Sequence, residues 1–186
     1  MKRIVVAVVS AGLLLAGCTG GGGGTKGGDA GFVQGSGITV VPSEQRKEPV
    51  SLSGTTLDGK SLDLAAYRGN PVVINVWGSW CSPCREEAPA LQAASVELAT
   101  KDVKMVGINT ADHDPAKAIA FEKNFGVTYP SLVDKGDLLL RLKGAVPPNA
   151  IPTTLVLDAQ GRIAARVSGA ITKTTLVDLV EDASAQ

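Results

Sequence analysis

Val73-Ile74-Asn75-Val76-Trp77-Gly78-Ser79-Trp80-Cys81-Ser82-Pro83-Cys84-Arg85-Glu86-Glu87-Ala88-Pro89 carries two periodicities that meet at a pair of cysteines. From Pro71 to Trp77 the chain is short, apolar and rich in β-branched residues, which suits a central strand buried on both faces. From Cys81 or Ser82 to about Thr100, Ala88, Leu91, Ser95 and Leu98 recur at helical spacing and predict one packed face. Pro89 lacks the N–H that would bond the carbonyl of Arg85, so a kink is expected there. The central strand is expected to end at Trp77 and the helix to begin at the cysteines.

The flanking sequence supplies the rest of the sheet. Before it, Val50–Ser53 and Ser61–Leu64 flank Leu57-Asp58-Gly59-Lys60, and Asp-Gly between short alternating runs predicts a hairpin. After it, 103–109 reads as a strand, and Asp114-Pro115 opens a helix that ends at Gly126. Residues 129–133 read as extended and 135–142 as a helix. A second hairpin is expected from Thr153–Asp158 and Arg162–Ser168, then a last helix from Thr172 to about Asp182. A β-α-β unit followed by an antiparallel pair and a terminal helix predicts an α/β fold, a mixed sheet with helices on both faces, folded as one domain over residues 49–186.

The chemistry follows from where the cysteines stand. A thiol at a helix N-terminus meets unpaired N–H groups and the positive end of the dipole, and both favour thiolate. Cys81 is therefore the expected nucleophile, with a pKa in the roughly 3.5–7.5 range of such sites against about 8.5 for a free thiol. Cys84, one turn on, is within disulfide reach. The predicted cycle is attack by Cys81 on a substrate disulfide, then attack by Cys84 on Cys81 to release the reduced substrate. A zinc site needs about four ligands, and beside this pair only His113 remains as a soft donor, so no metal and no cofactor are expected. A static disulfide closing so short a loop adds little chain-entropy stability.

The N-terminus is a different device. Met1-Lys2-Arg3 is a positive head, and Ile4–Ala16 is free of charge, as in a secretory signal peptide spanning 1–17. Residues 18–37 hold ten glycines, so 18–48 is expected to be a flexible tether before the domain. The chain has 186 residues, 44% hydrophobic and 19% charged, with no net charge. Without its first 17 residues it would be slightly acidic, which speaks against nucleic acid as a partner.

Two resemblances follow from these residues. Leu15-Ala16-Gly17-Cys18 resembles the bacterial lipobox, which implies cleavage before Cys18, a lipid on its sulfur, and residence at the extracytoplasmic face of the cell membrane. The run from Val73 to Pro89 resembles the active-site region of thioredoxin-like proteins of the TlpA/ResA type, over roughly residues 49–184. That likeness implies a thioredoxin fold with an N-terminal hairpin and an inserted helix, and membrane-tethered reductase activity, in several members serving cytochrome c maturation. A disulfide-bearing protein substrate and a membrane thiol electron donor are the partners implied. Ile151-Pro152-Thr153 is similar to the segment holding the family's cis-proline beside the disulfide. Glu87 matches an acidic residue that tunes the cysteines in ResA-like members, although a first-turn glutamate also simply suits the helix dipole. Asn75 departs from cytoplasmic thioredoxins, which carry Asp at that spacing. Trp77, Trp80, Ser82 and Pro83 are the expected neighbours of the cysteines. Two rival activities remain open: a peroxide reductase on the same fold, although Gly78 stands where such enzymes have Thr, and a copper carrier of the Sco type, although the cysteines are one residue too close.

Overall fold

The computed structural model describes residues 33–35, 37–142, 144–147 and 150–185. The expected signal segment 1–17, Cys18 and the glycine run up to 32 lie outside them. The described residues form strands β1 (Val33–Gly35), β2 (Ile38–Val40), β3 (Ser53–Thr55), β4 (Ser61–Asp63), β5 (Val72–Trp77), β6 (Lys104–Asn109), β7 (Ser131–Val133), β8 (Thr153–Leu157) and β9 (Ile163–Ser168). The helices are α1 (Ser82–Ala99), α2 (Pro115–Phe125), α3 (Leu138–Arg141) and α4 (Lys173–Ser184).

Seven strands form one mixed sheet in the order β1-β2-β9-β8-β5-β6-β7, and β3 pairs with β4 as a separate hairpin. β5 is parallel to β6 and antiparallel to β8, and every one of its residues is buried. Its alternation sorts the two faces. Val73 packs with Leu91 and Leu98 of α1 and with Leu176 and Val180 of α4. Val72, Ile74 and Val76 face the opposite layer of Leu52, Leu64, Leu138 and Leu142. Each such fully buried aliphatic side chain contributes roughly 1.5–3 kcal/mol of burial. Trp77, on the same face as Val73, stacks on Phe121 of α2 at 4.3 Å.

Helix signals in the sequence correspond to real caps. Asp114 accepts from the N–H of Ala116, α2 ends at Gly126 with φ 66°, and Thr172 caps α4 through the N–H of Thr175. Pro89 lies inside α1, which continues as one helix to Ala99.

Two expectations are corrected. The helix foreseen over 135–142 shrinks to α3. Asp134 Oδ1 takes the N–H groups of Gly136 and Leu138 in a turn, and Gly136 has φ 102°, so the first residues are diverted from helix. More important, the folded domain begins before Pro49, and residues 38–48, expected as the end of a tether, are part of it. β2 pairs with β9, Val41 is buried, and the Arg46 guanidinium lies 3.2 Å from Asp158. Ile38-Thr39-Val40-Val41 is a β-branched run, a strand signal masked by the glycines around it.

Candidate active site

Cys81 is the N-cap of α1. Its backbone is extended, with φ −82° and ψ 112°, and its sulfur accepts from the N–H of Cys84 at 3.2 Å. The two cysteines form a disulfide with Cα atoms 5.3 Å apart. Both are largely covered, Cys81 at 4% exposure being the more open and Cys84 at 1% the less. Ser82 and Pro83 form the exposed first turn between them, where the missing N–H of proline removes no helical bond.

The pair sits in an apolar cluster with Trp77, Ala88, Ala118 and Phe121, against which Ile151 also packs. The Ile151–Pro152 bond is cis, Pro152 is buried, and Ile151 before it is the residue that meets the cluster. The two tryptophans behave differently. Trp77 is buried at the end of β5. Trp80 is 58% exposed; its indole lies over Gly78, where a Cβ would come within 2.5 Å of it, and donates to the Thr110 carbonyl at 3.4 Å. Trp80 is thus held at the surface beside the junction, while the two cysteines stay covered.

Glu87 points inward. It is 3% exposed, accepts from the Asn75 amide at 2.9 Å and from the Ile171 N–H at 3.1 Å, and the Asn75 amide also donates to Thr154 Oγ1 at 3.2 Å. Burial pushes its carboxyl up to about 7, with the two hydrogen bonds pulling the other way. The Tyr129 hydroxyl is likewise pushed up, by burial and by the charges of Glu87 and Glu122. The solvent-facing reading of Glu87 as a mere dipole complement does not hold. His113 is a loop residue on the surface. Among the described residues no three His, Cys, Asp or Glu side chains converge as a metal site requires, and no helix is long and apolar enough to cross a membrane.

Two residues of the site escape the sequence reading, and a third, Asn75, stands out in the sequence as a lone amide in an apolar strand but without its partner Glu87. Thr154 lies opposite Asn75 in β8. Asp112, in the β6–α2 loop, accepts from the N–H of Ser79 at 2.8 Å, from its hydroxyl at 2.5 Å and from the Asn109 amide at 2.7 Å. No spacing rule links residue 112 to residue 79.

A disulfide closing so short a loop, at the helix end where its thiolate is favoured, is suited to being made and broken rather than to holding a fold together. Fold and site together define a thiol–disulfide oxidoreductase with a thioredoxin fold. The chain belongs to the Redoxin family, which it matches over residues 41–183. It is similar to the thiol-disulfide oxidoreductase ResA of Bacillus thuringiensis subsp. konkukian, 28% identical over 135 residues that make up 73% of this chain and 76% of that protein. Among solved structures it is similar to a DsbF homologue from Corynebacterium diphtheriae, with 34% identity, a TM-score of 0.74 and coverage of 80% of this chain and 94% of that one. It is also similar to a secreted thiol-disulfide isomerase from Corynebacterium glutamicum, with 30% identity, a TM-score of 0.76 and coverage of 82% and 94%. The thioredoxin fold and the ResA-type likeness expected from residues 73–89 are thereby borne out.

Proposed function

We propose that the chain is a lipid-anchored reductase of protein disulfides on the extracytoplasmic side of the cell membrane, with Cys81 as the attacking thiol and Cys84 as the resolving one. The observation that carries the assignment is the position of Cys81 as N-cap of α1, its sulfur bonded by the Cys84 N–H. That bond strengthens when the sulfur is a thiolate.

In the forward cycle the Cys81 thiolate attacks one sulfur of the substrate disulfide, forming a mixed disulfide and expelling the other substrate sulfur as thiolate. Cys84, deprotonated, then attacks Cys81 Sγ, and the second substrate sulfur leaves. Two electrons have passed to the substrate, whose thiolates take up two protons, and the Cys81–Cys84 disulfide remains. A membrane dithiol donor returns the two electrons by the same exchange. Glu87 is the group available inside the site to exchange a proton with Cys84 near neutral pH. Pro152 contributes the wall beside the disulfide, and Trp77 the apolar floor.

The location rests on the N-terminal sequence, the lipobox-like Leu15-Ala16-Gly17-Cys18, and is supported by the secreted relative. The reducing direction rests on likeness to ResA. A reductase serving cytochrome c maturation would deliver its electrons to the C-x-x-C-H pair that receives the haem. The test is a redox titration of the Cys81/Cys84 couple, with insulin and an oxidised C-x-x-C-H peptide as substrates. A potential near −270 mV or below, with reduction of the peptide, is the expected result. A potential near −120 mV marks an oxidant instead. Peroxide consumption faster than disulfide reduction would place the activity elsewhere. Loss of lipid labelling and membrane retention in Cys18→Ser tests the anchor.

A further inference from the structure

We propose that Asp112 is a positioning residue for the Cys81 nucleophile, acting through Ser79. The proposal rests on the assignment of Cys81 as the attacking thiol. Ser79 stands two residues before Cys81, and all of its polar groups are taken. Its N–H and hydroxyl donate to the two carboxylate oxygens of Asp112, and its carbonyl accepts from Arg85 Nη1 at 3.3 Å. The next link is equally determined: the N–H of Cys81 donates to the Gly78 carbonyl at 3.1 Å, closing a turn over residues 78–81. Gly78 leaves no room for adjustment, because a Cβ there would strike the Trp80 ring and approach the Thr110 carbonyl.

Asp112 is itself held. Asn109, the last residue of β6, donates to it at 2.7 Å, and the Thr110 N–H donates to the Trp77 carbonyl at 2.9 Å. Ala111 between them has φ 55°, the left-handed region that a β-carbon disfavours. Such a conformation persists where the surroundings over-determine it. Here it turns the carboxylate of residue 112 onto the loop that precedes the cysteines. Three donors converge on two carboxylate oxygens, a demand an asparagine cannot meet. It offers one oxygen, and its own N–H₂ would face a donor.

The position of Cys81 sets how well its sulfur receives the Cys84 N–H and the end of the α1 dipole. Loosening the clamp lowers thiolate stabilisation and raises the thiol's pKa. A direct electrostatic role has the opposite sign, since removal of a nearby negative charge favours thiolate. A purely structural role changes stability alone. The other polar side chains that face this groove are Arg85 from α1 and His113, Asp114 and Lys117 from the loop and α2, and Glu87 lies buried one turn along α1 from Cys84. None of them is substituted in the variants.

The test is iodoacetamide alkylation of the reduced full chain across pH, with Cys81 and Cys84 quantified separately by peptide mass spectrometry. Wild type, Asp112→Asn, Ser79→Ala and the double variant are compared, each checked for thermal unfolding in the disulfide form. Expected is a rise of the Cys81 midpoint by about half to one pH unit in Asp112→Asn, roughly a threefold to tenfold loss of thiolate below the midpoint. Ser79→Ala should show a smaller rise, and the double variant no more than Asp112→Asn alone. A falling midpoint in Asp112→Asn overturns the proposal in favour of direct charge. An unchanged midpoint with a lowered Tm overturns it in favour of a structural role. If Asp112→Asn does not fold, Ser79→Ala decides, and an unchanged midpoint there is fatal. Faster low-pH alkylation of Cys84 than of Cys81 in wild type overturns the nucleophile assignment itself, before any variant is considered.

Discussion

The amide of Asn75, in the middle of the central strand, donates to the carboxylate of Glu87 on the active-site helix at 2.9 Å. Asn75 stands where cytoplasmic thioredoxins, by the resemblance, carry an Asp. In this chain the buried carboxyl arrives from the helix side, and residue 75 supplies its hydrogen-bond donor. The acid is thus kept inside the site while the strand residue becomes neutral. The Ile171 N–H completes the cradle and ties α1 to the segment that leads into α4.

This buried carboxyl makes stability depend on pH. Its folded-state value of about 7 lies above the ordinary 4.5, with burial as the main cause. Between those values the folded chain holds a proton that the unfolded chain has lost, so this group's contribution to stability falls as pH rises from about 4.5 through about 7. In the oxidised protein, where the cysteines do not titrate, wild type should lose on the order of 2–3 kcal/mol more than Glu87→Gln between pH 4.5 and 8.5. Urea titrations of both forms at several pH values measure it. Parallel stability curves would show that the carboxyl carries no such shift.

Gly107→Ala should damage the floor of the site. A Cβ at 107 would collide with Ser131 Oγ and lie 2.8 Å from Trp77 Nε1, inside a sheet whose strands cannot separate cheaply. Overpacking of this kind costs about 1–3 kcal/mol. The Trp77 ring must shift to make room, and its stack on Phe121 must shift with it. Expected are a lowered Tm and a changed near-ultraviolet circular dichroism signal. An unchanged signal with an unchanged Tm would show that the strand yields instead.

Arg46→Met should free the first strands. Arg46 is buried, bonds Asp158, and reaches the carbonyls of Val41 and Ala183. Asp158 keeps its second partner Arg162 at 2.8 Å, so the loss should be below that of a buried pair broken outright, about 1–3 kcal/mol. Hydrogen exchange should quicken at Val41 and along β2 while β5 and β6 stay protected. Uniform exchange throughout would mean that the N-terminal segment is not a separable unit.

How much of this was legible depended on whether a signal was local. The β5–α1 junction, the caps at Asp114 and Thr172 and the Asp-Gly hairpin are written in neighbouring residues and could be read. The edge strands could not, because Ile38–Val41 gains its burial from β9, more than a hundred residues away, and the surrounding glycines read as tether. The same holds inside the site. Cys81 and Cys84 announce themselves by spacing, and Glu87 by its place one turn on. Asn75, Thr154 and Asp112 acquire their roles only when parallel and antiparallel pairing bring three strands and a loop to one level.

The last expectation concerns what Glu87 does to the thiols. It follows Cys84 by three residues, so the two share one face of α1 as neighbours. Glu87 is buried, and its carboxyl is poised near neutrality. In the reduced protein a thiolate and an ionised Glu87 would repel each other in a poorly solvated site, so the three groups should titrate as a coupled set. Replacement by Gln removes the negative charge, and the sign is then fixed: thiolate formation becomes easier, and the alkylation midpoint should fall by on the order of one pH unit. The shape should change as well, from a broad profile in wild type to a single sharper step in Glu87→Gln. Turnover should respond in the opposite sense. A Gln cannot exchange a proton with Cys84 as it becomes the second nucleophile, so release of the mixed disulfide should slow at pH 6–8 by about 10- to 100-fold. Stopped-flow reduction of a peptide disulfide across pH separates the two effects. Superimposable alkylation profiles and equal release rates would remove Glu87 from the redox machinery and leave it as the buried link between α1 and Ile171.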